Sequence, residues 1–162
     1  MGDMKVGDTV FHRRCGLCRI DDVAPLPGDD PSFLYYVLSP LYGDEKGNIV
    51  RVPTANPIFL RPVITENAAK DYVDGWPSFK DDHYIADSKK RKQSYEEALS
   101  KGDIYLMAPL IVGAMQRKSR DGHLNSMDLS FVNKAQPMVF GELSLALGLS
   151  YDEVSSMLLQ QA

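Results

Sequence analysis

The segment TVFHRRCGLCRIDDV, residues 9–23, decides the fold of the first third of the chain. Residues 9–12 and residues 16–23 both carry the β-branched and apolar side chains that are typical of β-strands. Arg13, Arg14 and Cys15 lie between the two runs. We therefore predict two consecutive strands, with these three residues in the connection.

The same kind of pattern continues beyond this segment. Residues 25–31 contain three prolines, one glycine and two aspartates, which indicates a loop. Further strands are predicted at residues 34–38 and 49–53, with a turn at residues 43–48 between them. Four or five short strands in about sixty residues favour a small, twisted, barrel-like sheet.

Beyond residue 62 the chain changes to helical patterns with recognisable caps. Asp103 is a good N-cap for one helix, and Ser150 with Glu153 has the spacing of a capping box for the last one. Pro109 lies inside one predicted helix, which should start later or kink there, and Pro137 should kink another. The helices are predicted at residues 67–75, 86–100 and 103–115, after Ser126, and from Tyr151 to about Gln160.

The predicted fold class is α+β, with a β-rich part over residues 1–63 and a helical part over residues 64–162. The formal net charge of −4 excludes coating of nucleic acid by bulk charge, so any such contact needs a local basic patch. No apolar run has the length of a membrane helix, and the first residues lack the apolar stretch of a signal peptide. We expect a cytoplasmic monomer that does not contact a membrane.

Cys15 and Cys18 have the C-x-x-C spacing of redox dithiols and zinc sites. A redox dithiol needs a following helix to lower its thiol pKa, and here a strand follows. A structural zinc site needs four ligands, and His12, His83 or His123 would complete it only by coincidence of folding. We expect ordinary strand and turn residues and no metal or cofactor, with a zinc or redox protein as the alternative.

Motifs of catalytic sites are absent, so no catalytic residue is assigned and no enzyme is expected.

Basic residues are concentrated in the otherwise acidic second half. From residue 64 onward there are 11 Lys and Arg against 14 Asp and Glu, and seven of the 11 cations fall in two clusters. The clusters are residues 89–92 and residues 117–120. Such segregation predicts a local positive face for phosphate contacts, whereas the alternative is a solvated helix start. Whether the two clusters meet depends on helix packing that the sequence does not show.

Four ordered motifs give the chain a family resemblance. They are Lys5-Val-Gly-Asp-Thr-Val-Phe11 followed by Gly16; Arg51-Val-Pro53 with Asn56 and Leu60-Arg61; Leu99-Ser-Lys-Gly-Asp103; and residues 124–128 with Ala135 and Phe140-Gly-Glu-Leu-Ser-Leu-Ala-Leu-Gly148. In this order and spacing they resemble the CarD/CdnL family of bacterial transcription regulators. The first domain of that family is shared with the polymerase-binding module of transcription-repair coupling factors.

The resemblance implies a non-catalytic regulator built from two parts. Residues 1–63 would form a Tudor-like β-barrel that binds the RNA polymerase β subunit, and residues 64–162 a helical domain that contacts promoter DNA and tunes the open complex. Arg51 matches the arginine on the family's polymerase-facing edge strand. Its neighbours Ile49, Val50, Val52 and Pro53 complete the predicted polymerase-binding stretch. Alternation along a strand predicts that Val50 and Val52 point inward if Arg51 points outward.

The predicted DNA contacts depart from the family pattern. Many members insert a tryptophan into the minor groove just before a basic helix, and such apolar wedges hold unstacked base steps open. That position falls at Ser88 here, or at Tyr84 with a shift, whereas Trp76 comes too early and resembles a packing residue. The remaining predicted contacts are Lys89, Lys90, Arg91, Lys118 and Lys134. We expect weak, mainly electrostatic DNA binding, and the alternative is a polymerase-binding adaptor that has lost most DNA contact.

Overall fold

The computed structural model describes residues 4–159, which contain five strands followed by five helices. The predicted α+β class is confirmed. The strands are β1 (Thr9–His12), β2 (Gly16–Ala24), β3 (Tyr35–Pro40), β4 (Val50–Pro53) and β5 (Leu60–Pro62). The helices are α1 (Glu66–Asp74), α2 (Ser88–Lys101), α3 (Ile104–Asp121), α4 (Ser126–Leu147) and α5 (Tyr151–Leu159). The predicted end of the last helix at Gln160 lies outside the described residues.

The five strands form one antiparallel sheet in the order β4-β3-β2-β1-β5. The register of β2 against β3 shifts between Ile20 and Asp22, and a bulge of this kind bends a strand and increases its twist. The sheet consequently curls into a half-barrel. Its two outer strands, β4 and β5, are not paired with each other, so each leaves one edge free of main-chain partners within the sheet.

The connection between β1 and β2 is held by a histidine. The Nδ1 atom of His12 accepts hydrogen bonds from the backbone N–H groups of Arg14 at 3.1 Å and of Cys15 at 3.2 Å. Burial and the nearby Arg14 guanidinium lower the pKa of His12. This buried histidine therefore stabilises the turn.

Alternation along β1 divides the buried side chains between two clusters. Val10 packs in the smaller cluster between the strands, whereas Phe11 packs among the helices. Trp76 is also buried in the helical cluster, with its ring against those of Tyr72 and Phe140. The prediction that this tryptophan is a packing residue is confirmed.

Two contacts fix the helices against the sheet. The carboxylate of Glu142, on α4, is fully buried and accepts hydrogen bonds from both terminal nitrogens of Arg61, at 2.5 and 2.6 Å. The Arg61 guanidinium also lies 3.8 Å from the centroid of the Phe11 ring. Gly102, which ends α2 at φ 58°, lies so close to Arg13 that a Cβ atom there would be 2.2 Å from the Arg13 carbonyl oxygen. Only glycine combines that conformation with that contact.

The helix caps follow the sequence closely. The Asp103 side chain accepts from the backbone N–H groups of Tyr105 and Leu106, and Ser150 and Glu153 exchange the two hydrogen bonds of a capping box. Pro109 does not delay the start of α3, because it lies inside that helix, and Pro137 likewise lies inside the continuous helix α4.

Candidate binding surfaces

The edge strand β4 presents the predicted polymerase-binding stretch. Arg51 and Pro53 are exposed, Val52 is buried, and Val50 is half-buried against the cluster between the strands. The predicted alternation is therefore confirmed. Ile49 precedes the strand and has 61% of its surface exposed.

Hydrogen bonding within the sheet determines what the edge offers. The backbone N–H of Thr54 donates to the Leu34 carbonyl, and the register continues with Pro53 opposite Tyr35 and Arg51 opposite Val37. Since hydrogen-bonded and non-bonded pairs alternate in an antiparallel ladder, Arg51 belongs to a non-bonded pair. Its N–H and carbonyl thus point away from β3 toward the free edge.

Proline at position 53 limits this edge. Pro53 also belongs to a non-bonded pair, so its backbone nitrogen faces outward, where it has no hydrogen to donate. The free edge of β4 accordingly offers a donor and an acceptor at Arg51 and only an acceptor at Pro53.

A groove of about 400 Å³ lies beside this edge. Arg51 and Val52 line it from β4, and Arg14 and Phe59 line it from the β1–β2 connection and the segment before β5. The Phe59 ring stacks on the His12 ring at 5.7 Å, and the Arg14 guanidinium lies 5.1 Å from the Phe59 centroid. The groove therefore combines an aromatic face with two arginines.

The two basic clusters meet at one end of a helical hairpin. Only Gly102 and Asp103 separate α2 from α3, so the start of α2 lies beside the end of α3. The ring of Tyr84 lies 4.7 Å from the guanidinium of Arg91 in α2 and 5.1 Å from that of Arg117 in α3. We call the exposed cations around this point the basic face; they are Lys89, Lys90, Lys92, Lys118 and Arg120.

Arg91 does not belong to the basic face, and the prediction that it contacts DNA is wrong. Its side chain is buried, and its Nε donates to Asp128 at 2.9 Å. A terminal nitrogen donates to the carbonyls of Ile85 at 2.8 Å and Ala86 at 3.2 Å. These bonds leave the guanidinium inside the protein, where no phosphate can reach it.

Asp128 is the centre of a buried polar network. Its carboxylate accepts from Arg91, from the Tyr84 hydroxyl at 2.9 Å and from the Tyr95 hydroxyl at 2.8 Å. Burial and the bond to Asp128 raise the pKa of both tyrosines. Tyr84 is therefore held by its hydroxyl and by both arginines on its ring, and it would have to leave these contacts to act as a wedge.

The other predicted DNA contacts lie at different places. Ser88 is exposed as the first residue of α2, directly after the N-cap Asp87. Lys134, on α4, lines a separate cleft with Leu99 and Ser100 at the opposite end of α2 from Lys89. Ser88 thus directly precedes the first lysine of the basic face, whereas Lys134 lies apart from that face.

Acidic groups are interspersed with the basic face. Asp87 accepts from the N–H groups of Lys89 and Lys90, and the Asp121 carboxylate pairs with Arg117. Asp81 and Asp82 are exposed in the segment before α2. The positive charge is consequently local and partly compensated.

Cys18 is buried in β2, and burial raises the pKa of its thiol to about 12. Cys15, half-buried in the preceding turn, also has a raised pKa because of burial. Residues 4–159 contain no group of three or more His, Cys, Asp or Glu side chains that could hold a metal ion. None of the helices in that range is long and apolar enough to cross a membrane.

The fold thus joins a half-barrel that has a free edge strand to helices that carry a basic face. The family model for the CarD C-terminal domain matches residues 80–159, from the segment that carries Tyr84 to the end of α5. The chain belongs to the CarD-like family. No curated protein matches it.

Sequence reasoning missed the buried partners of this architecture. Glu142, Asp128 and Arg61 lie within the motifs of the family resemblance, but their sequence context predicts no pairing between them and buried partners. A carboxylate inside an otherwise apolar helix was the available signal, since buried charges occur paired. The groove residues Arg14 and Phe59 gave no such signal.

Proposed function

We propose that this protein regulates transcription by bridging RNA polymerase and promoter DNA, without catalysis. Residues 1–63 bind the polymerase β subunit through β4, and residues 64–162 contact promoter DNA through the basic face to modulate open-complex stability. Membership of the CarD-like family supports this assignment.

The observation that carries the proposal is the set of groups that Arg51 presents at the edge of the sheet. Its main-chain donor and acceptor and its exposed guanidinium all lie where a partner strand would add. Strand addition supplies affinity through main-chain hydrogen bonds and specificity through side chains on alternate positions. An arginine fork adds a charge-assisted bond to a carboxylate.

The contact with DNA is electrostatic in this proposal. Lys89, Lys90 and Lys118 are exposed on the two helices whose arginines flank the Tyr84 ring, whereas the Tyr84 hydroxyl is bound to Asp128 and Ser88 is too small to act as a wedge. Lysines on phosphates give affinity without base readout, and such affinity falls steeply with salt.

The polymerase assignment is tested by binding of the purified protein to the β-subunit lobe. Arg51→Glu should weaken binding at least about tenfold, because it removes the fork and repels a carboxylate. Arg120→Glu makes the same charge change on the distant basic face and should leave this affinity unchanged. Retained binding by a folded Arg51→Glu protein would remove β4 as the contact.

An adaptor that binds polymerase but scarcely contacts DNA is the second candidate. The acidic residues beside the basic face and the engaged Tyr84 favour it. A promoter footprint with polymerase present separates the two: protection that Lys90→Glu reduces supports the bridge, and protection that is identical with and without this protein supports the adaptor.

A further inference from the structure

A cleft of about 590 Å³ lies beside the last turn of α3 and shares part of its lining with the basic face. Two cations of that face, Lys118 and Arg120, line the cleft. The apolar side chains of the lining are partly buried against the helical cluster; they are Phe79, Met115 and Leu159. The cleft therefore combines an apolar floor with positive charge, and its volume falls within the range of about 300–1,000 Å³ that is typical of small-ligand sites.

The spacing of residues along α3 indicates where the cations stand relative to this floor. Successive residues of an α-helix are turned by about 100°, so Met115 and Ser119 lie on one stripe, and both line the cleft. Lys118 and Arg120 leave the helix about 100° to either side of Ser119, and both are exposed. The stripe that faces the cleft is consequently bordered by one cation on each side.

Negative charge is scarce around the cleft. Among residues 4–159, none that lines it carries a carboxylate, and neither Lys118 nor Arg120 forms an ion pair. The neighbouring carboxylate on α3, that of Asp121, pairs with Arg117. The exposed aspartates at positions 81 and 82 do not line the cleft. Both cations are therefore available to an anionic ligand.

The Gln116 amide, which also lines the cleft, is engaged by the backbone. Its oxygen accepts from the N–H of His83 at 2.9 Å, and its nitrogen donates to the Asp81 carbonyl at 2.6 Å. These bonds hold the segment that follows Phe79 against α3. An amide bound in this way reads little of a ligand's hydrogen-bonding pattern, so the cleft selects by shape, apolar contact and charge.

We propose that the cleft binds one unpaired base of single-stranded DNA, while Lys118 and Arg120 bind the phosphates on its two sides. Apolar and aromatic side chains beside a positive groove hold single strands with little sequence preference, because every base has a face that can stack. The inference rests on the proposed function and deepens it, because it names the unpaired strand of opened promoter DNA as a ligand of the basic face.

Continuity with the basic face supports this occupant over a small apolar acid. Lys118 and Arg120 belong to the face and also line the cleft, so a polyanion bound to them carries its bases to the mouth of the cleft. The remaining cations of the face, on α2, extend the surface that further phosphates can use. A single carboxylate would leave those cations unused.

The first test compares two single-stranded ligands of the full chain at one salt concentration. One is a thymidine oligonucleotide, and the other has the same length with abasic sites at its central positions, which keep every phosphate. The complete strand should bind about tenfold more tightly, with a similar salt dependence for both strands. Equal affinities would overturn the inference. If octanoate also raised the melting temperature, the cleft would belong to small apolar acids instead.

The second test locates the base with substitutions that preserve the charge. Ser119→Met places a longer side chain on the stripe that faces the cleft, and it should reduce the difference between the two strands to less than about twofold without weakening the abasic strand. Ser100→Met is the matched control, because Ser100 is exposed at the far end of α2 and should leave the difference intact. A full difference in the folded Ser119→Met protein would show that the base binds elsewhere.

The outcomes also separate this inference from the proposed function. If Lys89→Glu with Lys90→Glu weakens binding of duplex promoter DNA while complete and abasic strands bind equally, the basic face stands and the cleft proposal is wrong. If the unaltered chain binds neither duplex nor single-stranded DNA, the cleft proposal and the DNA contact of the proposed function fail together.

Discussion

The free edge of β4 and the basic face use positive charge in opposite ways. At the edge, Arg14 and Arg51 have no carboxylate partner within residues 4–159. Next to the basic face, Arg91 and Arg117 are each paired with an aspartate, and lysines supply most of the exposed charge of the face itself. The arginine fork fits planar, directional partners, whereas lysine is a flexible point charge. Under the proposed function, the edge would select its partner by geometry and the basic face would attract DNA by charge.

Replacing Asp128, the centre of the buried polar network behind the basic face, should have the largest effect on the stability of the protein. Asp128→Ala leaves Arg91 buried without a counter-charge and two tyrosine hydroxyls without their acceptor. We expect a loss of about 3–5 kcal/mol in the free energy of unfolding, measured by urea denaturation. Affinity for the β-subunit lobe should be retained at temperatures where the variant is folded, because β4 does not contact this network. A loss below about 1 kcal/mol would show that the network is not structural.

The Arg61–Glu142 pair joins the sheet, which carries the β4 edge, to the helices, which carry the basic face. Glu142→Gln should lower the free energy of unfolding by about 2–3 kcal/mol. The neutral amide cannot accept both hydrogen bonds that the Arg61 guanidinium donates to the carboxylate. Glu66→Gln is the matched control, because Glu66 pairs with Lys70 on the surface and should cost about 0.5 kcal/mol or less. Equal costs for the two substitutions would contradict a structural role for the buried pair.

Charge reversal on the basic face tests whether its lysines make the affinity for promoter DNA depend on salt. Lys89→Glu with Lys90→Glu should weaken promoter DNA binding about tenfold and reduce the slope of log affinity against log salt by about 2. Lys5→Glu is a control at an exposed lysine near the N-terminus. An unchanged slope would show that neither lysine contacts phosphate.

The smallest effect concerns the turn that carries Arg14. The pKa of His12 is lowered in the folded protein, so the unfolded chain binds a proton more readily. The contribution of His12 to stability is therefore complete above pH 6.5 and is lost as the pH falls from there toward its folded pKa. His12→Asn keeps a side-chain acceptor but does not titrate, so the drop in stability over this range should be smaller in the variant. Equal drops would assign the pH dependence to other groups.

Local patterns were sufficient to predict most of the elements. The caps at Asp103 and Ser150 depend on residues within one turn, and the strands depend on alternation and on turn residues. The short strand β5 was not separately predicted, because it has three residues and ends in proline. Its strand character comes from pairing with β1, which is a tertiary property.

The basic face could be predicted only in part. Four consecutive cations on a helix surround it almost completely, so at least one had to face the protein. The sequence does not show that Arg91 is the one, because this depends on Asp128, which is 37 residues away. The meeting of the two clusters at Tyr84 likewise follows from the packing of α2 against α3.

The close contact between Gly102 and Arg13 and the Arg61–Glu142 pair both hold the helices against the sheet. A flexible tether would let the helical half explore a large volume once the sheet had docked. These two contacts instead hold the basic face at one distance and direction from β4. If β4 docks on polymerase as proposed, this geometry would give the cations a high effective concentration at a single stretch of DNA, so that weak phosphate contacts would suffice.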